Sequence, residues 1–282
     1  MQRKMLPIAH KKIIFESNSR HEGELWVLDE NTLKPIGKIN TDFKALDDMI
    51  EIKGHDMFAV ATTDLEIEIR AVSDPRKILG KLVKHAARIR RMIYIAERHQ
   101  IVSCDHSSRI IVWDLAKMSL VSNTQYNLFP IVDIVYADER LFFICMFYGW
   151  TVFSIDPRIN DRNNVRGTCC NQPDGDLAQI IDAGNSMLVV MTWTGAIITF
   201  DTKTGNLTSI INNNAESSAP IMALPNENLV FYSKDKQIVT IDPASGNTVS
   251  EVPFESFPTD FIVSSEGSLI VKDNHYRITR CQ

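Results

Sequence analysis

Residues 109–122 read RIIVWDLAKMSLVS. A run of β-formers ends in Trp113–Asp114, a short polar turn follows, and apolar residues resume. Locally this is a strand, a hairpin and a second strand. The pair itself is ambiguous. An aromatic ring beside a carboxylate could belong to a working site, or it could be a fastener that recurs for architectural reasons. Recurrence along the chain distinguishes the two.

The pattern recurs. ELWVLD (24–29), TVFSID (151–156), AIITFD (196–201) and QIVTID (237–242) are alternating β runs that end in Asp, and LEIEIR (65–70) fits with Arg70 in that place. The marker positions 29, 70, 114, 156, 201 and 242 are separated by steps of 41, 44, 42, 45 and 41, and YRITRC ends at Cys281, 39 beyond the last. After Asp201 comes TKTGN and after Asp242 comes PASGN, with Gly then Asn where a tight hairpin wants residues that tolerate positive φ.

What precedes each marker repeats as well. DMFAVAT, RLFFICM, SMLVVMT and NLVFYSK read as second strands, and IRRMIYIA, PIVDIVYA, AQIIDAG and PIMALP as first strands; Pro130, Pro220 and Pro258 open three of the units. KHAARIRRMIYIAER has a composition that a helix would accept, but its place in the frame predicts a strand. No convincing helix is visible elsewhere. Each unit is a meander of up to four strands, and a period of about 40–45 residues with a Trp–Asp marker predicts an all-β, seven-bladed propeller.

At this point the chain resembles the WD40-repeat family, over essentially its whole length and with degenerate motifs. Only one unit carries a true Trp–Asp. The resemblance implies a hydrogen-bonded set in the best-formed units: a His before the first strand, a Ser or Thr on the second, an Asp in the next turn, and the Trp. The third unit offers His85 and Trp113, with Asp105 two places early and Ser107 in the usual Asp position. The sixth offers Ser233 and Asp235 but Ile241 for Trp, and the fifth offers Thr192 and Thr194. On sequence, no unit has the full set. His85, Trp113, Asp114, Asp156, Asp201 and Asp242 are expected to be structural.

One propeller domain is expected over 1–282, with blades at about 4–40, 41–84, 85–125, 126–170, 171–215, 216–254 and 255–282. Seven blades of four strands need one strand more than the pattern supplies. Before Lys12 there is room for one strand, roughly Lys4 to Ile8, and the last unit ends after its third. The closure seam is therefore expected to be one strand short, and unpaired edges attract other strands.

The bulk composition narrows the function classes. A net charge of -5 in 282 residues gives no generic pull toward nucleic acid or anionic membrane. No apolar run reaches membrane-helix length and no signal-peptide core is present, so a cytoplasmic or nuclear protein is expected. The five cysteines, with no CxxC, do not form a disulfide framework or zinc site on sequence grounds. The seven histidines lack ligand spacing, so neither a metal nor a cofactor is expected. No nucleophile elbow, P-loop or dinucleotide fingerprint appears. DTKTGN, DPASGN and the adjacent Cys169–Cys170 resemble features of quinoprotein dehydrogenases, which is the catalytic rival reading.

The expected role is a non-catalytic interaction platform that binds a protein or peptide, acidic or phosphorylated, on its loop face. The alternative is a subunit of a larger coat or scaffold whose seam a partner strand completes. Candidate partner-binding residues are Lys84, Arg88, Arg90 and His106 in the third unit, Phe129, Tyr148 and Trp150 in the fourth, and Trp193 in the fifth. The basic members belong to the run Lys81, Lys84, His85, Arg88, Arg90, Arg91. Arginine pairs bidentately with carboxylate and phosphate, and aromatics are common interface anchors.

Overall fold

A computed structural model describes residues 5–8, 11–19, 22–39, 45–126, 130–146, 151–157, 165–169, 177–212 and 214–281. Seven consecutive antiparallel meanders make up these residues. Blade 1 is β1 (Met5–Ile8), β2 (Lys12–Ser19), β3 (Glu22–Asp29) and β4 (Pro35–Ile39). Blade 2 is β5 (Leu46–Ile52), β6 (Met57–Thr62), β7 (Glu66–Ala71) and β8 (Ile78–Val83). Blade 3 is β9 (Ile89–Ile95), β10 (Gln100–Asp105), β11 (Arg109–Asp114) and β12 (Ser119–Gln125). Blade 4 is β13 (Ile131–Ala137), β14 (Arg140–Cys145), β15 (Thr151–Ile155) and β16 (Arg166–Cys169). Blade 5 is β17 (Leu177–Asp182), β18 (Met187–Thr192), β19 (Ile197–Asp201) and β20 (Leu207–Asn212). Blade 6 is β21 (Ile221–Ala223), β22 (Leu229–Tyr232), β23 (Gln237–Ile241) and β24 (Thr248–Pro253). Blade 7 has β25 (Pro258–Val263), β26 (Leu269–Asp273) and β27 (Ile278–Cys281), three strands among the described residues.

The chain divides into two compact units, residues 127–261 with 273–275, and 2–126 with 262–272 and 276–282. KHAARIRRMIYIAER is strand β9 followed by one 3-10 turn, Ala96–Arg98, closed by His99 at φ 52°.

Burial explains why second and third strands carried the clearest signal. β6, β14 and β18 are buried at every residue after the first, so they read as unbroken apolar runs. Fourth strands such as β4 and β24 are mostly exposed and show little alternation. Core clusters form where consecutive blades meet. Leu25 and Ile14 of blade 1 pack with Phe58 and Met49 of blade 2, and Phe142 and Ile144 of blade 4 with Leu188 and Phe200 of blade 5.

A polar device repeats on the first strands. β-Bulges fall between Leu46 and Asp48, Ile131 and Asp133, and Leu177 and Gln179. Each bulge turns the residue after it toward the next blade. Asp48 Oδ2 accepts from Met92 N at 2.7 Å, Asp133 Oδ2 from Ile180 N at 3.2 Å, and Gln179 Oε1 from Ile221 N at 3.1 Å. All three side chains are buried and their polar atoms are used to pair main chain, which is what makes burial tolerable.

Blade 7 is tied to blade 1 by side chains. Glu30, 2% exposed, accepts from Ser265 N at 2.8 Å and Ser265 Oγ at 2.5 Å. Lys272 Nζ donates to Glu16 O at 2.9 Å, and Lys11 pairs with Glu266 at 2.9 Å. Met5, Ile13 and Leu28 pack against Ile262 and Ile270. The expected shortfall of one strand is seen, with four strands in blade 1 and three in blade 7 among the described residues.

Candidate functional site

Both members of the Trp113–Asp114 pair are engaged by contacts within the fold. Trp113, 3% exposed, packs on β11 against residues of blades 2 and 3, including Ile67, Leu82 and Ile101. Its Nε1 donates to Ser103 Oγ at 2.9 Å. His85 Nε2 meets the same Oγ at 2.7 Å, and His85 Nδ1 meets Asp105 Oδ2 at 2.8 Å. Blade 3 therefore has the complete set, which corrects the sequence expectation. Ser103 supplies the strand hydroxyl, and Asp105 reaches His85 from the strand end. Its other oxygen accepts from Ser107 N and Oγ at 2.9 and 2.6 Å, so Ser107 holds the carboxylate that replaces it. Burial works to raise the Asp105 pKa, but the bonds from His85 and Ser107 outweigh it and the carboxyl lies below its ordinary value.

The marker aspartates cap hairpins. Asp29, Asp114, Asp201 and Asp242 each accept from main-chain N–H groups two or three residues on. All four carboxyls lie below the ordinary value: for Asp29, Asp114 and Asp201 the chief cause is a bond from a turn N–H, for Asp242 the Ser245 hydroxyl. Four residues after each marker the chain takes positive φ, at Leu33, Met118, Gly205 and Gly246. DTKTGN and DPASGN are thus accounted for by turn geometry. Arg70, in the marker place of blade 2, is buried and donates to Glu68 at 2.6 Å and to Pro75 O at 2.9 Å. Asp156 is buried at the end of β15.

The basic run does not survive as one patch. His85 is buried in the blade 3 network. Arg91 is 7% exposed and stands 3.7 Å from Asp48, at the bulge position that holds Asp48, Asp133 and Gln179 in other blades. Lys81 pairs with Glu66 at 2.7 Å and Glu68 at 3.3 Å. Exposed or half-exposed at the loop end of blade 3 are Lys84, Arg88, Arg90 and His106. His106 N donates to Arg88 O at 3.0 Å, which places the two loops side by side.

Asp47, missed on sequence, lies beneath Arg88. Its carboxylate is fully buried and accepts from Arg88 Nε at 3.1 Å and from Nη2, while the Arg88 side chain stays 54% exposed. The Asp47–Asp48 pair splits its work, one residue holding Arg88 and the other bridging to Met92. The signal was present as two adjacent acids in an apolar first strand, where a carboxylate needs a partner. His106 sits below the ordinary histidine pKa, through burial first and then repulsion from Arg90 and Arg88.

Trp193, expected as an anchor, is 50% exposed at the β18–β19 hairpin of blade 5. The hairpin beneath it is tied by hydrogen bonds: Thr192 Oγ1 meets Thr194 Oγ1 at 2.8 Å, and Lys234 Nζ donates to Thr194 O at 2.8 Å. Phe129, Tyr148 and Trp150 lie outside the described residues, as does Cys170 of the adjacent cysteine pair. Among the described residues no three His, Cys, Asp or Glu side chains form a group that could hold a metal.

The comparisons agree with this architecture. No family model and no curated protein matches the chain. Many solved chains share the fold. One is the WD40 beta propeller domain of Doa1, with a TM-score of 0.78 and 14% identity over 99% of this chain and 91% of that one. The fold is a seven-bladed β-propeller, similar to the Doa1 WD40 propeller domain.

Proposed function

We propose that this protein is a non-catalytic interaction platform that binds an acidic peptide or protein segment at the loop end of blade 3. The observation that supports it is the Asp47–Arg88 arrangement. A buried carboxylate fixes one edge of a half-exposed guanidinium, so the remaining donors are held ready for a ligand without loss of side-chain freedom on binding. Arg90 and Lys84 add positive charge beside it in a chain that is acidic overall. Burial lowers the His106 pKa, and the charges of Arg90 and Arg88 lower it further. An anion bound there would raise the His106 pKa, so binding takes up a proton and strengthens as pH falls below about 6.5.

Fluorescence anisotropy with labelled hexaglutamate and with a phosphoserine peptide tests this. Lys84→Glu and Arg90→Glu should weaken both by about tenfold or more. Arg88 is a poor choice for charge reversal, because Asp47 beneath it would be left facing a like charge. Equal binding by wild type and the Arg90→Glu protein, or affinity independent of pH between 5.5 and 7.5 (a span of about two units around the histidine range), argues against the reading.

A second reading is favoured by blade 7. With three strands among the described residues, β27 presents its outer edge without a strand neighbour. An extended segment of a partner in a larger scaffold would pair there by β-augmentation. Hydrogen exchange of the β27 amides, slowed when a partner is present, supports it; unchanged exchange on partner binding sinks it.

A further inference from the structure

Blades 4 and 5 enclose a cleft of about 150 Å³ at the hairpin end of their outer strands. Its floor is the core itself: Phe142 and Val152 of blade 4 and Leu188 and Phe200 of blade 5 line it, each 5% exposed or less. Its rim is cationic. Arg140 enters from the start of β14, where its Nη2 donates to Ser154 Oγ at 3.3 Å. Ser154 stands opposite Arg166 in the β15–β16 register, so Arg166 joins the same rim. Lys203 faces them from the β19–β20 turn.

These three cations form no ion pair among the described residues. Asp201 also lines the cleft: its Oδ1 accepts from Lys203 N at 3.0 Å, Thr204 N at 2.6 Å and Thr204 Oγ1 at 2.9 Å, and its charge, with that of Asp138, acts on Lys203. Among the described lining residues three cations stand against one carboxylate, over an apolar floor. The volume limits what can enter. It is close to that of a cavity that holds a benzene-sized group, about 150 Å³, and well below the roughly 300–1,000 Å³ of small-molecule sites. A single Leu- or Phe-sized side chain matches that volume.

We infer that this cleft receives one apolar side chain of a partner peptide whose carboxylate, either the chain terminus or an adjacent acidic residue, is held by Arg140, Arg166 and Lys203. The apolar floor removes the side chain from water, and the guanidinium pair offers the planar donors that carboxylates accept. The site shares no residue with the blade 3 cluster and stands without it.

Methyl NMR on the full chain, labelled at Ile, Leu and Val, tests the inference. The probes are N-acetyl-leucine, which mimics a C-terminus, acetyl-Leu-Glu-amide, which mimics an internal acid, and neutral N-acetyl-leucine amide. A carboxylate probe should shift the Val152 and Leu188 methyls and bind about tenfold more tightly than the neutral amide, the scale of one lost charged hydrogen bond. Whichever carboxylate probe binds better identifies the source of the anion. The Arg140→Gln, Arg166→Gln double variant should lose the preference while its unliganded spectrum stays folded. Equal shifts from the neutral amide overturn the inference, as do no shifts at these methyls at millimolar probe, or a double variant that retains the preference. Concentration-dependent changes at the same methyls without probe would make a second copy of the chain the occupant, and also overturn it. The comparison of neutral and charged probes needs no variant, so it decides the matter even if a substitution unfolds the protein.

Discussion

Trp113 Nε1 donates to Ser103 Oγ at 2.9 Å, one diagonal step away in the β10–β11 ladder. The bond joins the largest side chain of blade 3 to the strand hydroxyl that also meets His85. Trp113→Ala should cost roughly 3–5 kcal/mol, the range for emptying an aromatic site in a core. Trp113→Phe keeps most of the burial but removes the donor, so its cost should be about 1–3 kcal/mol. Urea denaturation of both gives the two values. A Trp113→Ala protein of normal stability that had lost hexaglutamate binding would contradict the structural role.

Asp105 makes stability depend on acid pH. Its carboxyl lies below its ordinary value in the fold, so the folded state favours the ionised form. That contribution is fully present above the unfolded value of about 3.9 and is lost as pH falls through the lower folded value. Thermal midpoints of the wild type should therefore drop below about pH 4 more steeply than those of Asp105→Asn, and the two curves should converge in acid. Parallel curves would exclude Asp105 as the source.

Gly195 and Gly54 separate strain from space. Both hold positive φ, +89° and +82°. A Cβ on Gly54 meets nothing within 4 Å, whereas one on Gly195 would lie 2.0 Å from the Ala215 carbonyl oxygen. That carbonyl is main chain and cannot swing aside. Gly54→Ala should cost about 1–2 kcal/mol from backbone strain alone. Gly195→Ala adds overpacking and should cost roughly 3 kcal/mol or more. Differential scanning calorimetry that ranked the two equally would refute this.

Burial pushes the Cys145 thiol up to about 12. A thiol is a nucleophile only as thiolate, so Cys145 is protonated and inert throughout the physiological range. Iodoacetamide at pH 8 followed by mass spectrometry should leave Cys145 unmodified in the folded protein and alkylate it in urea. Rapid labelling of the native chain would show that β14 opens.

The fold was legible because its repeats fall on β6, β10, β14, β18 and their neighbours, which are buried on both faces and cannot drift far from apolar β-formers. The seam was legible for the same reason: the frame counts the strands of each unit, and blade 7 has three among the described residues. The blade 3 network was only half legible. Its Trp and His were visible, but Asp105 substitutes for a turn residue by reaching back from the strand end, and spacing rules do not encode that reach. The basic run misled more seriously. Sequence shows charge but not direction, and strand alternation with a bulge sends Arg91 inward while Arg90 faces out. The Asp47–Arg88 pair spans 41 residues and is invisible without knowing which first strands are neighbours.

The bridges made by Asp48, Asp133 and Gln179 carry one more consequence. At each bridge the acceptor is met by a main-chain amide of the next blade, which every residue except proline provides, although Asp48 also faces Arg91 and Gln179 also donates to Ala219 O. The joint behaves as a universal coupling: the donor blade brings one acceptor, and the receiving blade need bring no particular side chain. A carboxylate can be exchanged for a carboxamide at that point, as Gln179 shows, with the linkage intact. Blades so joined are free to differ in almost every other position, and a regular architecture can be assembled from units whose sequences have little in common.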